Sequence, residues 1–160
     1  MKRTIQAAMV LLLLVAAGVA AAADTAPVTV TATVLGTCRF SAGGAALGFG
    51  ALPFDAAGNA APGGATATTS LLFWCTNGAS YTITDDSGLH STAPGARRMQ
   101  STTLAVPEYI AYGMSYNPAT GTGAGPGNMI SLTIDGTVGA IYGANSPDAY
   151  ADTVTLTINP

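Results

Sequence analysis

Few residues in this chain have types and spacing that could do chemistry. His90 is the single histidine, so any metal cluster could draw on one imidazole at most. It lies in a stretch rich in Gly, Ser and Pro, where a solvated loop histidine is the plainer reading than a general base. The chain has no GxSxG elbow and no HExxH motif. Asp85-Asp86 offers two adjacent carboxylates, but the DxDxDG spacing of a calcium loop is absent, so a turn is expected. Gly121 to Gly127 has the glycine content of a phosphate loop. Pro126 interrupts it, no lysine stands nearby and no helix start follows, so it reads as a flexible loop. The sequence is therefore read as non-enzymatic, with no catalytic residue, no metal and no cofactor.

Two cysteines remain, Cys38 and Cys75, and their meaning depends on the compartment. The first 23 residues read as a secretory signal peptide. Lys2 and Arg3 form a basic start, Ala7 to Val19 an apolar stretch, and Ala21-Ala22-Ala23 a small-residue cleavage site before Asp24. A transmembrane helix would need about 20 apolar residues and a stop-transfer flank. No later run could span a bilayer. In an exported chain an even cysteine count predicts one disulfide, Cys38 to Cys75, worth roughly 3 to 4 kcal/mol in the chain-entropy model. A redox or nucleophilic thiol would call for a CxxC pair or a nearby histidine, and neither is present.

Lys2 and Arg3 leave with the signal, so Arg39, Arg97 and Arg98 face eight acidic residues, a net charge of about −5. That balance excludes nucleic acid and anionic membrane surfaces as natural partners, since both want basic patches. With 8% charged residues the chain suits a protein that works packed against neighbours.

The elements that would carry any site are strands. In Val28-Thr29-Val30-Thr31-Ala32-Thr33-Val34-Leu35, apolar residues alternate with threonines, the period of a half-buried strand. Eight such residues span roughly 26 Å. Leu47 to Leu52 is a brief apolar run, followed by a loop from Asp55 to Ala65. Thr66 to Thr76 predicts a strand with Leu71, Phe73 and Cys75 on one face and Leu72 and Trp74 on the other. Tyr81 to Thr84 and Ile110 to Tyr116 alternate in turn, the latter with Ile110, Tyr112, Met114 and Tyr116 on one side. Met129 to Ile134 and Thr137 to Tyr142 flank Asp135-Gly136, which predicts a hairpin. Thr153 to Ile158 alternates again and closes the chain. No segment after the signal shows helical periodicity, so the fold class is an all-β sandwich of about eight strands.

Taken in order, these pieces resemble the spore coat protein U domain family, which includes subunits of archaic chaperone–usher pili. The residues that carry the likeness are the alternating strand before Cys38, Leu47-Gly48-Phe49-Gly50, and Leu71-x-Phe73-x-Cys75-Thr76-Asn77-Gly78 with Tyr81-x-Ile83. Arg98-Met99, Tyr112-x-Met114-x-Tyr116 and Tyr150-Ala151-Asp152-Thr153-Val154-Thr155-Leu156 complete the set. The chain departs from the family pattern at Asp148, where glycine is usual, and in ending on Asn159-Pro160.

The resemblance implies an immunoglobulin-like sandwich that is incomplete and is completed by a donor strand from a neighbouring subunit. It implies residues 1–23 as signal peptide, 24–35 as donor strand and 36–160 as the sandwich domain. Val28, Val30, Ala32 and Val34 would fill the groove. Burial of the three valines at about 1.5 to 3 kcal/mol each gives very roughly 5 to 9 kcal/mol before ordering costs. Implied partners are identical or related pilus subunits in a filament, a periplasmic chaperone and an outer-membrane usher. The implied role is a surface fibre or coat serving adhesion and biofilm, reached by export through the periplasm. Trp74, on the outer face of its strand, is either covered by the loop from Asp55 to Ala65 or an interface residue. Tyr109, Tyr112 and Tyr116 are expected in the core or lining the groove. The rival reading is a self-contained secreted carbohydrate- or surface-binding sandwich, in which Val28 to Leu35 is the first strand of its own sheet.

Overall fold

A computed structural model describes residues 23–52, 63–141 and 145–160. The segment read as a signal peptide thus lies outside the described residues apart from Ala23. The described residues form nine strands: β1 (Cys38–Phe40), β2 (Ala65–Cys75), β3 (Ser80–Asp85), β4 (Arg97–Ser101), β5 (Tyr109–Asn117), β6 (Thr120–Thr122), β7 (Ile130–Val138), β8 (Tyr150–Ala151) and β9 (Leu156–Asn159). They form a six-stranded sheet in the order β1-β2-β7-β5-β4-β8 and a three-stranded sheet in the order β6-β3-β9. The described pairings are antiparallel. The chain divides after Thr33, and Val34–Pro160 is one compact unit.

The sheets face each other because alternate side chains of each strand are apolar. Leu71, Phe73 and Cys75 of β2 and Leu132 and Ile134 of β7 meet Tyr81 and Ile83 of β3 in one buried cluster. Phe73, Leu132 and Cys75 are the largest fully buried side chains. The Phe73 and Tyr81 rings pack edge to face with centroids 5.0 Å apart. Cys38 and Cys75 are direct cross-strand partners and form a disulfide.

Three expectations are corrected. Asp135-Gly136 makes no hairpin: β7 runs straight through it, pairing with Thr68 and Ala67 on one side and Ser115 and Met114 on the other. The glycine serves packing instead. A Cβ there would stand 2.6 Å from Leu47 Cδ2 and 2.8 Å from Phe49 Cζ, so its absence lets the Leu47 to Phe49 segment cross the sheet. The Gly121 to Gly127 stretch is not a loose loop either. β6 begins it, and Gly123 and Gly125 donate backbone hydrogen bonds to Ala79 and Cys75. The closing run also splits: β8 joins the large sheet, β9 joins the small one, and Asp152 to Thr155 crosses between them.

Gly136→Val should therefore lower the unfolding free energy by about 1 to 3 kcal/mol, the usual cost of overpacking. Urea denaturation measures it, and Gly136→Ala should fall between wild type and valine.

Candidate assembly groove

The small sheet ends at β9, and its register shows what that edge offers. Leu156, Thr157, Ile158 and Asn159 pair with Asp85, Thr84, Ile83 and Thr82. The Asp86 N–H donates to Thr155 O at 3.2 Å, whereas the Ile83 N–H turns the other way, to Ala119 O at 2.7 Å. In an antiparallel ladder hydrogen-bonding direction alternates residue by residue. Thr155, Thr157 and Asn159 therefore bond towards β3. Val154, Leu156 and Ile158 aim their N–H and C=O groups the opposite way, where no strand pairs among the described residues. The side chains of the same three residues point inward yet stay only half-buried.

Beside this edge lies a groove of about 620 Å³. Its floor is the inner face of the large sheet, with Leu71 of β2, Ile134 of β7, Tyr112 and Met114 of β5, and Met99 of β4. One wall is the segment from Phe40 to Phe49 and the other runs from Tyr150 to Leu156. A second hollow of about 550 Å³ shares Leu47, Phe49, Met99 and Tyr150 and reaches Ile110 and Ile141. The one charged residue lining the main groove is Asp152. Both of its oxygens are engaged, by the Tyr112 hydroxyl at 2.8 Å and the His90 N–H at 3.3 Å. Gly88, at φ +95°, passes so close to this carboxylate that a Cβ would collide with it. The groove is thus lined mainly by apolar side chains and flanked by backbone that pairs with no strand among the described residues, which suits a strand far better than a small polar molecule.

A buried polar cluster borders the groove. Arg97 Nη2 donates to Asp85 Oδ1 at 2.6 Å, with both side chains about nine-tenths buried (relative exposure 10% and 11%). The Tyr116 hydroxyl donates to Asp85 Oδ2 at 3.0 Å. Burial pushes the Asp85 carboxyl up, but hydrogen bonds from Arg97, the Ser87 amide and Tyr116 outweigh it and hold the group below the usual carboxylate range. Burial, then the bond to Asp85, raises the Tyr116 hydroxyl, and burial with Asp152 does the same at Tyr112. Arg97 had no role in the sequence reading. Its alternation with Met99 and Ser101, an arginine at an inward position of a short strand, was the available signal.

The residues singled out from sequence are dispersed. His90 contributes its backbone to Asp152 and its carbonyl to Arg98 Nε, while its ring lies 6.3 Å from that of Tyr109. Asp85 and Asp86 accept from the N–H groups of Ser87 and Gly88 in a turn. Tyr112 lines the groove, Tyr116 sits half-buried beside it, and Tyr109 corrects the expectation. It is on the outer face, 37% exposed, under the Arg98 guanidinium at 3.8 Å. Trp74 is half-buried on the outer face of β2, opposite Arg39 in register; most of the loop proposed to cover it lies outside the described residues. Val28, Val30 and Val34 are 84%, 87% and 83% exposed, and Asp24 to Leu35 takes no strand conformation.

The sequence profile of the Spore Coat Protein U domain matches residues 24–157. The chain belongs to that family. No curated protein matches it. Among solved structures it is similar to the CsuC–CsuE chaperone–tip adhesion subunit pre-assembly complex from the archaic chaperone–usher Csu pili of Acinetobacter baumannii. That likeness has 19% identity and a TM-score of 0.47, and covers 79% of this chain and 40% of that one. This chain therefore spans well under half the length of the solved chain it matches.

In this Spore Coat Protein U domain the Arg97–Asp85 pair gives a pH signature. A carboxyl whose folded pKa is depressed contributes stability that is present above the unfolded value, near 3.9, and is lost as pH falls through the folded one. Wild-type stability should hold from pH 7 to about pH 5 and decline below about pH 4. Arg97→Met leaves a buried carboxylate unpaired and should cost roughly 3 to 5 kcal/mol at pH 7. The gap from wild type should narrow near pH 3, where Asp85 is neutral in the variant. Urea midpoints across that range check both.

Proposed function

We propose that this chain is a structural subunit of a secreted surface fibre or coat, polymerising by donor-strand exchange. In this reading residues 1–23 direct export, 24–35 form the donor strand, and 36–160 form the acceptor domain. The observation that carries it is the open edge of β9 beside an apolar groove, in a chain that also presents an uncharged alternating segment free of any sheet. Backbone groups of Val154, Leu156 and Ile158 supply the ladder for an incoming strand, and Val28, Val30, Ala32 and Val34 fill the groove. Each ladder bond adds about 0.5 to 1.5 kcal/mol. Such a contact joins two different surfaces and does not close on itself, so it yields a filament.

Membership of the Spore Coat Protein U domain family supports a subunit role. The partners are further copies or related subunits, with a periplasmic chaperone that shields the groove before assembly and an outer-membrane usher. Left open, the edge invites aggregation, which is why a chaperone is required. The fibre serves adhesion and biofilm formation at the cell surface, and Trp74 is a candidate contact between packed subunits.

Material sheared from producing cells should run as a ladder of oligomers in SDS without boiling and collapse to one subunit on boiling. Deletion of Asp24 to Leu35 should abolish the ladder. A single monomer band under both conditions would sink the proposal.

A further inference from the structure

We infer that the buried Arg97–Asp85 pair is a strut that holds the strand-accepting groove open, positioning its walls in a way that an equally stable apolar cluster would not. This rests on the donor-strand reading above.

The pair spans the two sheets. Arg97 comes from β4 of the six-stranded sheet and Asp85 from β3 of the three-stranded one, and they meet at 2.6 Å. Tyr116 reaches the same carboxylate from β5 at 3.0 Å. The strut also stands at the groove. Arg97 is the direct cross-strand partner of Tyr112, a floor residue, and Asp85 is the partner of Leu156, a wall residue. Movement of the small sheet towards the large one would have to break or bend this contact.

The energetics argue that the pair, although costly to break, adds no stability over an apolar replacement of the whole unit. Arg97 Nε is buried and finds no hydrogen-bond partner among the described residues. A donor left unsatisfied in the interior is costly, and a buried ion pair replaced as a unit by apolar residues is commonly neutral or stabilising. An open apolar groove, by contrast, is driven to close in water by the burial of its own walls. Tyr112, Met114 and Leu156, half-buried at the groove, would gain cover by collapse, and the vacant strand lane would disappear. A short, directional contact at the β9 wall opposes that. At the other wall the Cys38–Cys75 disulfide fixes β1 on β2, immediately before the Phe40 to Phe49 segment.

The test replaces the cluster as a unit, Asp85→Leu with Arg97→Met and Tyr116→Phe, in the chain from Asp24 onward. Wild type and variant are refolded by dilution at low concentration with a fluorescent synthetic peptide of residues 24–37. Uptake is followed by anisotropy, and stability by urea midpoint. The expected result is a midpoint equal to or above wild type with uptake weakened about tenfold, as when a groove is open a tenth of the time. Equal uptake by the two proteins overturns the strut alone. A variant that fails to fold also overturns it, because the pair would then be serving stability. No uptake by wild type overturns the donor-strand reading and this inference with it.

Discussion

An antiparallel sheet that stops one strand short has to resolve two debts of different kinds at one place. Its last strand presents backbone donors and acceptors with nothing opposite, and the layer beneath is an apolar floor without a lid. In this chain both occur at β9, where Val154, Leu156 and Ile158 turn their backbones outward and their side chains into a half-covered groove. Water can satisfy the backbone groups but not the apolar floor. A β-strand with alternating apolar residues satisfies both together, because its hydrogen bonds lie in the plane of the sheet and its side chains stand perpendicular to it.

On the proposed donor-strand reading, the remaining architecture keeps that place available. The buried core is packed towards the β2, β7 and β3 side, around Phe73, Leu132 and Cys75. The β4, β5 and β9 side is held by directional contacts instead: Arg97 and Tyr116 on Asp85, and Tyr112 on Asp152. Apolar packing is indifferent to direction and tolerates sliding, whereas a hydrogen-bonded ion pair loses most of its strength when geometry changes. In the proposed strut role, a wall that keeps its distance is better served by the second kind of contact. The scarcity of charge elsewhere makes this placement of an arginine the more informative.

The same economy explains the glycine at position 136 and the failure of the hairpin expectation. An Asp-Gly pair between alternating runs is a turn signal only if the strand on either side can end there. Here β7 lies between β2 and β5 and is bonded on both sides, so a turn would break two ladders at once. The glycine is instead the gap through which the Leu47 to Phe49 segment crosses the sheet to form one wall of the groove.

Although the equally regular alternation of Val28 to Leu35 takes no strand conformation, strand identity was legible in β2, β3 and β5, where the pleat writes its period-2 pattern. So was the separation of Leu72 and Trp74 from Leu71 and Phe73, and the all-β class. β4 and β6 were not, since Arg97 to Ser101 is half-buried and polar, and Thr120 to Thr122 is short and glycine-rich. Nor could the groove be located from residues alone. Its floor draws on four strands and its walls on two segments distant in sequence, and sequence periodicity carries the facing of each strand but no information on which strands become neighbours. Local pattern determined what each strand would bury; strand order decided that the β9 edge beside the groove would pair with no strand among the described residues, because pairing is a property of two segments and never of one.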